Sequence, residues 1–201
     1  MRRTRVLIFA KPPRMGLAKT RLAAGLGRTE ARRIAHFTLA RTMRSVRSSG
    51  LDVALYLAPD YALGETLGGT WPPHLPRFSQ GSGTLTERLG KGIADSPNGP
   101  VLFIGTDAPD ISATLLRQAV RALQRTDAVF GPADDGGFWL FGVNKRPGLP
   151  SLFDNVRWSG PHARADVQAN LPSSFRLTLL ETLQDLDEEP DWRRWNANKL
   201  R

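Results

Sequence analysis

Lys11, Arg14, Lys19 and Arg21 crowd the stretch KPPRMGLAKTRLA, which contains no carboxylate. Pro12, Pro13 and Gly16 keep it from reading as an ordinary helix, so the cations belong to a loop suited to an anion. Much further along, Asp107 and Asp110 in FIGTDAPDI, and Asp134 and Asp135 ahead of Gly136 and Gly137, supply acids. Several cations set against a few carboxylates suit a phosphate ester bound with a hard divalent cation. Mg²⁺ or Mn²⁺ takes oxygen ligands, commonly one or two carboxylates with substrate phosphates and water. The cations would neutralise the remaining phosphate charge, and backbone N–H groups by Gly16 can approach its oxygens. The loop is not a P-loop, because Ala18 and Pro13 stand where that pattern needs glycine. His36, His74 and His162 show no zinc-ligand spacing, and no serine sits in a nucleophile-elbow setting.

The elements that must position these residues read as strand and helix in alternation. RVLIFA is an unalternating apolar run, as a strand covered on both faces should be. TEARRIAHFTLARTMRSVRSSG has a helical apolar face and ends at Gly50. DVALYLAPD is a second strand, stopped at Pro59, and the poorly patterned stretch around GGTWPP reads as loops about a short helix. LTERLGKGIADS predicts a helix capped by Thr84 or Thr86. VLFIG predicts a strand, and Ser112 can cap the helix ATLLRQAVRALQRT. DAVFGPA and GGFWLFGV are strands separated by so short a link that they imply an antiparallel element. A helix after Pro161, a strand FRLTLL and a helix near Asp191–Trp195 complete the chain. The expectation is an α/β fold with an open, mostly parallel but mixed sheet flanked by helices, in one domain over residues 1–201. In such sheets ligands bind outside the carboxyl ends of the strands, where strand order reverses. The basic loop, Asp107 and Asp135 all fall on that edge.

The whole composition narrows the function classes. The chain has 201 residues, of which 40% are hydrophobic and 23% charged, as in an ordinary globular protein. It lacks cysteine, which excludes disulfides and thiolate metal sites. No apolar run approaches the roughly 20 residues of a membrane-spanning helix, and the first apolar run is too short for a signal peptide. A cytoplasmic protein is the expectation. The formal net charge of +9 invites a nucleic-acid partner. Its distribution argues against one: Glu30 is the sole acid up to Gly50, whereas Glu181–Asp191 is acidic and can pack near the basic front half.

Together, IFAKPPRMGLAKTRL, FIGTDAPDI, GPADDGGFWLFGV and DLDEEPDW resemble the bacterial nucleotide-diphospho-sugar transferase-like proteins, glycosyltransferases of the GT-A fold. They are similar also to phospholactate guanylyltransferases and other small nucleotidyltransferases. The resemblance runs from Val6 to about Trp192 and implies the following roles. Lys11, Arg14, Lys19 and Arg21 match the loop that wraps nucleotide phosphates, and Gln80 and Gly81 a segment near the nucleotide or sugar. Asp107 matches the metal-binding aspartate, and Asp187 an aspartate that in some relatives adds a second metal contact. Asp135, with Gly136 and Gly137, matches the segment facing the sugar or acceptor, and Trp158 the Trp of a Trp-Ser-Thr stretch. By residue type alone, Trp158, Trp192 and Trp195 read as packing residues. Two departures stand out: Ala108 and Pro109 separate Asp107 from Asp110 where glycosyltransferases of this fold show Asp-x-Asp, and Gly160 replaces the threonine.

These readings imply a metal-dependent transferase using a nucleotide-activated donor. Glycosyl transfer from a nucleotide sugar to a small-molecule acceptor is preferred, with Asp107 and Asp135 as catalytic residues. The alternative is a nucleotidyltransferase that releases pyrophosphate from a nucleoside triphosphate. A non-catalytic nucleic-acid binder is the second alternative, resting on net charge and the arginine-rich first long helix. Base, sugar, acceptor and oligomeric state are not legible.

Overall fold

The computed structural model describes residues 4–199. Its strands are β1 (Arg5–Ala10), β2 (Asp52–Leu57), β3 (Arg77–Ser79), β4 (Gly99–Ile104), β5 (Ala128–Pro132), β6 (Phe138–Lys145) and β7 (Leu177–Leu179). Its helices are α1 (Thr20–Leu26), α2 (Arg28–Ser49), α3 (Leu85–Asp95), α4 (Ala113–Leu123), α5 (Ala163–Ala169) and α6 (Glu189–Lys199). The strands form one mixed sheet in the order β3-β2-β1-β4-β6-β5-β7. β6 runs antiparallel to both β4 and β5, as the short link before it requires, while the other pairings are parallel.

β1 is apolar throughout because both its faces are covered. Val6, Ile8 and Ala10 pack into one layer with α2 and α4, through Leu39, Met43, Leu116 and Ala119. Leu7 and Phe9 enter the other layer with α3 and α5, among Phe103, Phe130, Phe141 and Phe153. Gly131 is required locally: the Trp139 ring occupies the place a Cβ there would take, and the Trp139 indole donates to Glu181 O at 3.1 Å. A third cluster joins Leu22 of α1, Ile34 of α2, Leu186 and Trp195 of α6.

The elements differ from the sequence expectation in four places. The second half of the basic loop is helical: α1 starts at Thr20, so Arg21 stands on a helix. The stretch around GGTWPP holds two short 3₁₀ turns, Asp60–Gly64 and Leu67–Gly69, followed by β3, an edge strand too short for a period-two pattern. β7 is only three residues long, and α6 extends to Lys199. Helix capping is as expected. Thr84 caps α3, its N–H reaching Glu87 at 2.7 Å, and Ser112 Oγ accepts from Leu115 N at 3.2 Å on α4. Thr86 instead donates to Phe153 O at 2.9 Å.

Strand order reverses between β1 and β4. The chain leaves β1 to build β2 and β3 on one side, then returns to lay β4 on the other. The loops after β1 and β4 therefore open side by side, where a ligand crevice is expected.

Candidate active site

A cleft of about 660 Å³ lies at that reversal. Lys11, Lys19, Arg21, Gln80, Arg88, Asp107, Asp135, Gly137, Trp158, Asp185 and Asp187 are among its lining residues. Its acids meet its cations at Lys19. This residue precedes α1 with a left-handed backbone, φ 54° and ψ 44°, and its side chain is 5% exposed. Lys19 Nζ pairs with Asp107 Oδ1 and stands 3.0 Å from Asp187 Oδ1. Arg21 also reaches Asp187, at 2.5 Å. Burial by itself would lower the Lys19 ammonium, but Asp107 and then Asp187 outweigh it and hold the group above its ordinary value.

Asp107 and Asp187 are far apart in the chain, and backbone pairing joins them. Leu183 N donates to Pro132 O at 3.0 Å and Asp134 N to Leu183 O at 3.1 Å, laying the segment after β7 beside the end of β5. Leu186 N then donates to Asp107 O at 3.1 Å, and Leu186 is fully buried. Asp185 and Asp187 flank that leucine, and both line the cleft.

Asp185 has no part in the sequence reading of the site. Its Oδ1 is buried and has no hydrogen-bond partner. Burial first, then Asp107 and Asp187, push its carboxyl well above the usual range, against a partial offset from Lys19. The Asp-Leu-Asp alternation was the available signal, since alternate residues around a buried leucine share a side. Arg88 was also missed. It lines the cleft from α3, donates to Gly83 O at 3.1 Å and to Gln80 Oε1 at 3.4 Å, and has no carboxylate partner among the described residues.

The remaining predicted site residues divide. Lys11 is exposed on the cleft wall. Gln80 lines it, but its amide donates to Ala10 O at 3.2 Å and Tyr56 O at 2.8 Å, tying the ends of β1 and β2 together. Asp135 Oδ1 accepts from Gly137 N at 2.8 Å. Gly136 has φ 89° and lies against the Pro161 backbone, where a Cβ would overlap it. Trp158 donates to Thr86 Oγ1 at 2.9 Å and packs near Phe138. Arg14, Gly16, Gly81 and Gly136 are not among the lining residues. Arg14 instead pairs with Glu65 at 2.6 Å over the Tyr61 ring. Asp110 is likewise engaged elsewhere: it accepts from the Trp195 indole at 2.7 Å and pairs with Lys199 at 3.0 Å, fastening α6.

Among the described residues, no three His, Asp or Glu side chains form a ready cation cage. The donor set nevertheless suits Mg²⁺ or Mn²⁺. Asp107 and Asp187 aim oxygens at a common point, now taken by Lys19 Nζ, the unpartnered Asp185 oxygen is buried in the same cleft lining, and such ions usually take their other ligands from phosphate and water. No described helix is long and apolar enough to cross a membrane.

The family model described as "Uncharacterized protein conserved in bacteria (DUF2064)" matches residues 41–160. No curated protein matches significantly. Among solved structures, a Desulfovibrio desulfuricans G20 protein provisionally named a nucleotide-diphospho-sugar transferase superposes with TM-score 0.85 and 27% identity. The match covers 99% of this chain and 89% of that one. The 4-diphosphocytidyl-2C-methyl-D-erythritol synthase of Anaerococcus prevotii DSM 20548 is similar in fold, with TM-score 0.64, 13% identity, and 100% and 99% of the two chains covered. So is the glucosyl-3-phosphoglycerate synthase of Mycobacterium tuberculosis, solved with Mn²⁺, uridine diphosphate and glucosyl-3-phosphoglycerate. Its TM-score is 0.57 and its identity 10%, over 96% of this chain and 75% of that one. The sheet and its helices are thus those of nucleotide-diphospho-sugar transferase folds.

Proposed function

The chain belongs to the DUF2064 family, and we propose that it is a transferase acting on a nucleotide-activated substrate, with glycosyl transfer from a nucleotide sugar as the favoured reaction. The observation that carries this reading is the meeting of Lys19, Asp107 and Asp187 at the strand-order reversal, in a cleft of about 660 Å³. That size is within the range of roughly 300–1,000 Å³ common for small-molecule sites. The likeness to a transferase solved with Mn²⁺ and uridine diphosphate supports it.

Asp107 and Asp187 would hold a divalent cation, with Asp185 behind them. When bound, the cation supplies positive charge against that developing on the departing diphosphate. The rest is done by side chains. Lys11 and Arg21 present charge to the phosphates from the side of the β1 loop, and Arg88 does so from α3. Gln80 fixes the cleft floor by holding β1 to β2. Asp135 orients an acceptor hydroxyl or takes its proton; one oxygen is bound to Gly137 N and no described hydrogen bond engages the other. Trp158 and Gly137 form the acceptor side.

Nucleotidyl transfer with release of pyrophosphate is kept as a second reading because of Asp110. Its commitment to Trp195 and Lys199 leaves one carboxylate on the β4 loop rather than an Asp-x-Asp pair.

Thermal midpoints measured with nucleotide sugars, nucleoside diphosphates and nucleoside triphosphates, with Mg²⁺ or Mn²⁺ and with chelator, test the proposal. Stabilisation by a nucleotide sugar, lost with chelator and in Asp107→Asn, is expected. Stabilisation by triphosphates alone moves the reading to nucleotidyl transfer. No response to any nucleotide removes it.

A further inference from the structure

The two carboxylates suited to a divalent cation already share a cation of their own. Lys19 Nζ sits between Asp107 Oδ1 and Asp187 Oδ1, with the lysine side chain almost wholly buried. It gets there from a left-handed backbone, which a lysine adopts only at an energetic cost. An ammonium so placed is either a permanent substitute for a metal ion or a place-holder that yields to one.

The local charge balance points to the second role. Asp185 adds a third carboxyl group to the cluster, and its buried Oδ1 has no partner. Among the described residues, Arg21 pairs with Asp187 and Glu188. One ammonium therefore leaves a buried oxygen unsatisfied that a doubly charged ion could attract. Lys19 also precedes α1 on the loop that approaches the phosphates in the proposed function, so an alternative anionic partner would arrive with the substrate.

Building on that proposed function, we infer that Lys19 is an exchangeable counter-ion. The divalent ion enters between Asp107 and Asp187 by displacing the Lys19 ammonium, which moves to the phosphate oxygens of the incoming nucleotide. Metal without nucleotide must strand a buried ammonium, which is costly. Nucleotide supplies the partner that removes this cost. Metal and nucleotide therefore bind cooperatively, and by linkage each strengthens the other equally.

The test is calorimetric titration of Mn²⁺ into the wild-type protein and Lys19→Met without nucleotide. Thermal midpoints of both proteins are then taken with Mn²⁺, with each of ADP, CDP, GDP, UDP and TDP, and with Mn²⁺ plus each nucleotide. Lys19→Met is expected to bind Mn²⁺ about tenfold tighter than wild type, within the usual span of coupling between sites. In wild type, Mn²⁺ with the best nucleotide should raise the midpoint by more than the sum of the separate shifts, and in Lys19→Met that excess should shrink to the part that direct metal–phosphate bonding supplies. Equal Mn²⁺ affinities, or an excess that the substitution leaves undiminished, overturn the exchange and leave the proposed transferase intact. Mn²⁺ binding by the variant but never by wild type, even with nucleotide, makes Lys19 a permanent substitute and also overturns it. No Mn²⁺ binding by either protein under any condition overturns both the exchange and the metal in the proposed function. If Lys19→Met does not fold, Lys19→Gln takes its place in the same measurements.

Discussion

Asp185 shows how the cleft sets its own chemistry against its stability. A carboxyl with a buried, unpartnered oxygen beside two other acids opposes folding, because desolvation and like charge disfavour its ionised form. Asp185→Asn should therefore stabilise the free protein by about 1–2 kcal/mol in urea unfolding, while reducing the stabilisation by metal and nucleotide. Unchanged ligand response would place Asp185 outside the site. Arg88 presents the opposite case, a cation fixed by Gly83 O and Gln80 Oε1 with no acid to neutralise it among the described residues. Arg88→Met should weaken binding of the stabilising nucleotide by about 10- to 150-fold, the loss of a charge-assisted hydrogen bond of about 1.5–3 kcal/mol, with little change in unfolding midpoint.

Among elements, α6 decides what Asp110 can do. Trp195 is buried against Phe37 and Trp192 and donates to Asp110, while Lys199 and Arg41 approach the same carboxylate. The two aspartates of the β4 loop should separate cleanly on substitution. Asp110→Asn weakens α6 docking and costs about 1–2 kcal/mol of stability, yet keeps the nucleotide-dependent shift. Asp107→Asn also loses stability, because it takes one partner from the buried Lys19 ammonium, and it alone loses the shift. Parallel urea melts and ligand titrations of the two variants read this directly. A reversed pattern would exchange their roles. Trp195→Ala, which removes the whole packing contact, should cost about 3–5 kcal/mol.

At the scale of the molecule, the Arg157–Asp166 clamp contributes to acid stability. Arg157 donates to Asp166 through Nε at 2.9 Å, a terminal nitrogen at 2.8 Å and its backbone N at 3.0 Å. These hydrogen bonds lower the Asp166 carboxyl to about 2 from 3.8. A depressed carboxyl stabilises the fold above its unfolded value, and that contribution disappears as pH falls through its folded value. The clamp is thus fully present above about pH 4 and lost towards pH 2. Arg157→Met should lower the urea midpoint at pH 5 and converge with wild type near pH 2. A constant difference across that window would show that Asp166 does not titrate with the clamp.

Local pattern alone determined the layered α/β architecture, the covered strand β1, the antiparallel β6 and the Thr84 and Ser112 caps, because periodicity and capping are written within a few consecutive residues. It also placed the basic loop, Asp107 and Asp135 on one sheet edge, since strand ends follow from strand positions. It did not reveal β3, whose three residues carry no period, nor the helical start at Thr20. The neighbours of each charge were beyond its reach. Arg14 turns to Glu65, Asp110 to Trp195, and Asp185 arrives beside Asp107 only because the segment after β7 pairs with β5. Tertiary packing decided those partners, because ion pairs and desolvation depend on distances across the fold that spacing along the chain does not encode.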